Sequence, residues 1–212
     1  MPMELLHLLQ LADSALPVGG MAHSFGLESL VEFGFLRPET LECFLRDWLA
    51  EAGLLEAAFC ARACEEPAEF NRLNMRLCAR KPARESREGS AAMGRRLLDL
   101  AARAYGIAPV AVAGELQYPC CFGYVAAVLG VPGEMAVAAF LHQSVGALIS
   151  SSQRLMPLGH THAQAILFRL KPRISDVAAQ AVTAGIEVPS FTPLMETASM
   201  CHARLSTRLF IS

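Results

Sequence analysis

The sequence predicts an all-α fold, a single-domain bundle of about ten helices around a buried central apolar helix. Three observations carry that expectation. Apolar residues make up 53% of the chain while aromatic residues make up only 7%, and Ala and Leu dominate, a balance that suits close-packed helices better than a sheet sandwich. Apolar positions recur at helical spacing, as at Leu5, Leu8, Leu9 and Ala12. Pro and Gly then cut the chain into helix-sized pieces. A length of 212 residues, with no internal repeat and no step in composition, is read as one domain over 1–212.

The elements follow in order. A first helix over 4–12 ends at the heptapeptide Ala15-Leu16-Pro17-Val18-Gly19-Gly20-Met21. Leu16 before Pro17 is biased toward extended backbone, and the Gly19-Gly20 pair permits a left-handed turn or a close backbone approach. Ser24 is placed to cap a helix over 24–33, with the carboxylate of Glu28 near its positive end, and Gly34 ends it. Pro38 opens a helix running to Glu51, and Gly53 weakens its far end. Helices over 54–64, 68–79 and 84–105 are separated by Pro67 and Pro82. The second half is expected to supply helices over 121–129, 134–150, 163–170, 175–184 and 195–206, with a turn at Lys171-Pro172 and a start signal at Ser175-Asp176.

The central apolar helix is assigned to 135–153, a run without a formal charge and about as long as a bilayer-spanning helix. Ala139, His142, Gln143, Gly146, Ser150 and Gln153 give it a small or polar stripe opposite Phe140, Leu141, Val145 and Leu148. Lipid would leave that stripe unsatisfied, so a buried bundle helix is favoured, with a membrane-associated helical protein as the alternative. Pro119, Gly123, Gly130, Pro132 and Gly133 break the preceding stretch into a short helix and a turn.

Charge and motif content narrow the function. A net charge of -2 with 18% charged residues offers no basic footprint for nucleic acid. The start Met1-Pro2-Met3-Glu4 lacks the features of a secretory leader, and a cytoplasmic location is expected. Seven cysteines without C-x-x-C spacing read as reduced, packed thiols, with Cys60 and Cys64, on one helix face, a conceivable metal pair. No phosphate-loop, dinucleotide, nucleophile-elbow or zincin motif occurs, and Gly89-Ser90-Ala91-Ala92-Met93-Gly94-Arg95-Arg96 lies within helical periodicity. His160 and His162 are the close histidine pair, able on extended backbone to hold two corners of a metal site. A metal-binding carrier using them is the second alternative. His142 is expected to be a hydrogen-bonded buried polar group.

Blocks spread along nearly the whole chain resemble those of the urease accessory protein UreF family. The first is Leu9-Gln10-Leu11-Ala12 with Ala15 to Gly20, followed by Ser24, Gly26, Leu27 and Glu28; the second is Arg87-Glu88-Gly89-Ser90 with Gly94-Arg95-Arg96-Leu97-Leu98. Tyr118-Pro119 with Phe122-Gly123, then Leu129-Gly130-Val131-Pro132, are similar to a third. Arg154-Leu155-Met156-Pro157-Leu158-Gly159 with Thr161 and Gln164 resembles R-L-x-P-L-G-Q-T-x-x-Q, and His202 with Arg208-Leu209-Phe210-Ile211-Ser212 resembles the last block.

The resemblance implies an all-helical, non-catalytic maturation factor that forms homodimers. It implies a scaffold that binds UreD (also called UreH), recruits the GTPase UreG to apo-urease for nickel insertion, and modulates GTP hydrolysis. No cofactor is expected to be held firmly, nickel being handled by the complex, and no membrane or nucleic acid is an expected partner. Met21, His23, Ser24, Glu28, His202, Arg208, Leu209 and Phe210 are implied as partner-binding, with Arg208 matching a C-terminal arginine used in recruitment and the tail over 204–212 expected to be flexible. Pro17, Gly19, Gly20, Arg154, Pro157 and Gly159 are implied as structural. The chain departs from the family at Met21, where an aromatic residue is usual, and at Gln117, His160, His162-Ala163 and Ala203.

Overall fold

Apolar residues spaced three and four apart decide which faces turn inward, and in the computed structural model, which describes residues 2–211, they build ten α-helices and, among the described residues, no strand. Met1 and Ser212, the end points of the expected domain and tail, lie outside the described residues. The helices are α1 (Pro2–Leu11), α2 (Leu27–Glu32), α3 (Leu41–Trp48), α4 (Leu54–Glu65), α5 (Phe70–Ala79), α6 (Arg84–Ala104), α7 (Tyr118–Val128), α8 (Gly133–Leu155), α9 (His160–Ala184) and α10 (Pro193–Cys201).

A buried apolar helix does occupy the middle, but it is α4 and not the expected 135–153 segment. Leu54, Leu55, Ala57, Ala58, Phe59, Cys60, Ala61 and Ala63 are all buried, and α4 packs against α7, α8 and α9. The α4–α7 seam brings backbone against backbone: a Cβ at Gly123 would sit 2.1 Å from the Cys60 carbonyl oxygen. Phe122 on α7 meets Phe140 on α8 edge to face with ring centroids 5.7 Å apart, and Phe59 on α4 is fully enclosed. The α8 stripe foreseen as small and polar is half-buried because it lines a cleft, while Phe140, Leu141, Val145 and Leu148 pack inward. Among the described residues α8 is long and apolar enough to cross a bilayer, and 50% of its apolar window is buried in the bundle.

Three boundaries differ from expectation, each because tertiary packing outweighs a local signal. Gly53 does not end a helix; α3 runs into α4 through a π-helical turn over Leu49–Gly53. Lys171-Pro172 does not break the chain either. The buried stripe Ala163, Ile166, Leu170, Ile174, Val177 and Ala181 continues in register across Pro172, and its burial offsets the cost of about 3 kcal/mol for an interior proline. Ser24 is not the cap of α2. Phe25 and Gly26 adopt left-handed backbone, adding a further turn, so α2 starts at Leu27 and the Ser24 carbonyl, not its hydroxyl, receives the Leu27 N–H at 3.1 Å.

Candidate partner-docking site

The chain reverses twice between α1 and α2, and the first reversal is fixed from below. Gly19 sits at φ 79, a backbone that favours glycine, and a Cβ there would fall 1.8 Å from the Arg96 guanidinium, whose flexible end would have to move aside. Arg96, on α6, donates to the Val18 carbonyl at 3.3 Å. A short 3-10 turn over Gly20–Ala22 then leads to His23. His23 is buried against Phe25, and burial, reinforced by the Arg96 charge, holds its pKa below the ordinary 6.5.

From above, the same turn is clasped by residues distant in sequence. Arg154, in the last turn of α8, donates to the Met21 carbonyl at 2.9 Å and to the Leu209 carbonyl at 3.4 Å, and its guanidinium stacks 4.3 Å over the Phe210 ring. The Ile211 amide completes the join by donating to the Ala22 carbonyl at 2.9 Å. Pro157 and Gly159, exposed in the turn after Arg154, lead directly into α9.

Glu28 holds the other side of the tail. Its carboxylate, 6% exposed, accepts the Leu209 amide at 2.6 Å and the Phe210 amide at 3.3 Å, and lies 2.8 Å from His202 Nε2. A buried carboxylate is costly unless its lone pairs are used, and here three donors meet it. Residues 205–211 therefore lie against the bundle although they form no helix.

The residues singled out in the sequence thus converge on one face, at two depths. Met21, Arg208 and Leu209 face solvent, while His23, Ser24, Glu28, His202 and Phe210 form the layer beneath. Phe210, expected as an apolar contact for a partner, is 5% exposed and anchors the tail from within. The sequence reading missed Arg96 as the support of the turn; its motif position marked it as helical, and nothing in the spacing connects it with Gly19.

Next to the turn a cleft of about 990 Å³ runs along α8, lined by Met21, His23, Lys81, His142, Gln143 and Phe191 among others. Tyr118 donates its hydroxyl to Gln143 at 2.7 Å, and Gln143 donates onward to the Leu11 carbonyl at 3.3 Å. At the cleft floor Lys81, 8% exposed, pairs with Glu56. His142 is half-buried, and burial followed by the Lys171 charge lowers its pKa.

The candidate metal residues are arranged otherwise than expected. His160 and His162 lie in the first turn of α9, where residues two apart point to opposite sides, and His160 Nδ1 is within 3.0 Å of Gln153 Nε2. Burial raises the Cys60 thiol well above its ordinary value and pushes Cys64 up to about 11, so both stay protonated near neutrality. Among the described residues no group of three His, Cys, Asp or Glu side chains is placed to hold a metal ion.

The fold and the site define an all-helical bundle whose singled-out residues gather on one face, three exposed over a buried, mainly polar layer. The family model described as UreF matches residues 36–171. The chain is 33% identical to the urease accessory protein UreF of Rhodopseudomonas palustris, covering 98% of this chain and 93% of that protein. It is 34% identical to that of a Nostoc species (98% and 95% covered) and 32% identical to that of Paenarthrobacter aurescens (98% and 97% covered). The chain belongs to the UreF family of urease accessory proteins.

Proposed function

We propose that this chain is a cytoplasmic, homodimeric scaffold in nickel delivery to urease. It binds UreD (UreH), and with it recruits the GTPase UreG to apo-urease and modulates GTP hydrolysis. The supporting observation is the clasp itself: Arg154 and Glu28 bind the tail to the glycine turn, so Met21, Arg208 and Leu209 stand on one rigid platform. A surface held this way loses little conformational entropy on docking. Nickel, in this reading, is cargo of the assembled complex and is not held firmly by this chain. The cysteines are all free thiols, which suits a reducing compartment.

The test is reconstitution. The chain co-purifies with UreD, the pair retains UreG, and Arg208→Ala weakens UreG retention by about tenfold while the helical circular dichroism is unchanged. Sedimentation of the purified chain gives twice the monomer mass. Failure of the wild-type chain to retain either protein, under conditions where their own cognate complexes assemble, would remove this reading.

A further inference from the structure

The turn–tail face carries an excess of one charge in a chain that is slightly acidic overall. Arg96, Arg154 and Arg208 are all exposed, and none has a carboxylate within ion-pair distance among the described residues. Arg96 makes one long hydrogen bond, to the Val18 carbonyl, and Arg154 makes two, to the Met21 and Leu209 carbonyls, so each guanidinium has N–H groups left to donate. The carboxylate of Glu28 is buried and consumed by the tail. Asp99, one turn beyond Arg96 on α6, lies on the side facing the 107–116 loop, away from Gly19. Asp13, at the cleft mouth, is turned back onto the Ala15 amide.

We infer that this face docks a partner surface rich in carboxylates, read by Arg96 and Arg154 on either side of the glycine turn. The occupant is a protein partner presenting Asp and Glu, since charge complementarity is what three uncompensated guanidiniums offer. Arg96 has two roles, supporting the turn through Val18 and presenting a charge beside it; Arg96→Lys keeps the charge, whereas Arg96→Gln removes it.

The inference rests on the scaffold reading for its physiological partner, so one arm of the test does without that partner. In that arm a glutamate homopeptide is titrated into the labelled chain and amide resonances are followed. Shifts at Gly19, Gly20 and Met21 that disappear at about 0.5 M salt, persist in Arg96→Lys and are lost in Arg96→Glu support the proposal. Shifts scattered over the surface, or shifts indifferent to Arg96→Glu, overturn it. In the second arm, binding of the UreD–UreG pair weakens by about tenfold or more in Arg96→Glu, by about twofold in Arg96→Lys, and not at all in Arg103→Glu elsewhere on α6. Wild-type binding that ignores both salt and Arg96→Glu sinks the acidic-partner proposal alone; absence of wild-type binding sinks the scaffold reading and leaves the peptide titration to decide this one.

Discussion

The α4–α7 seam and the turn–tail clasp are both tightly built, from opposite materials. The seam is apolar and interdigitated, with Gly123 pressed against the Cys60 carbonyl and no room for one additional atom. The clasp is polar, held by Arg154 and Glu28, which reach backbone groups up to 182 positions away, with His202 as a further partner of Glu28. Shape complementarity holds the first together, and satisfied hydrogen bonds hold the second. The seam is thus sensitive to volume and the clasp to the loss of one lone pair.

Five substitutions, one of them used only in combination, break or sharpen this contrast. Gly123→Ala carries the largest effect, because a methyl group at 2.1 Å from a backbone oxygen forces α4 and α7 apart. It is expected to cost about 3 kcal/mol or more, read as a lowered urea midpoint. Glu28→Ala removes the acceptor shared by His202 and two amides, at a cost of about 2–4 kcal/mol. Its signature is selective: limited proteolysis cuts within 204–211 while the bundle stays protected. If the whole chain became labile instead, the clasp would be part of the core and the contrast would fail.

Gly19→Ala strains a left-handed residue and drives a methyl group into Arg96, at a cost of about 1–2 kcal/mol. Combining it with Arg96→Ala should recover the steric part, a coupling a double-mutant cycle measures. The smallest effect is on pH dependence. His23 has its pKa lowered on folding, so the unfolded chain binds more protons, and stability falls as pH drops below about 6.5. His23→Gln should flatten that slope in urea titrations between pH 7 and 5.5, whereas substitutions in the seam should leave it unchanged.

The same contrast explains what could be read in the sequence. Helices written in local periodicity, such as α6 and α7, emerge close to their expected limits because spacing and punctuation are short-range signals. Pro172 misled because a local breaker was weighed without the stripe that continues on both sides of it. His160 and His162 misled because the helix begins at His160 itself, turning a pair on extended backbone into side chains facing apart. At the turn–tail face, the residues named through family resemblance lie together, but their division into an exposed layer and a buried one was not legible. Glu28 was read as a helix-end charge, since its three donors lie between residues 202 and 210, beyond any local pattern.

The bond from Ile211 to Ala22 joins residues near the two ends of the described chain. A contact between positions so far apart closes a long loop and offsets the entropy of closing it only once the intervening helices have packed. The turn–tail face is therefore expected to order after the bundle, and to be the first part of the molecule to open when the chain is destabilised.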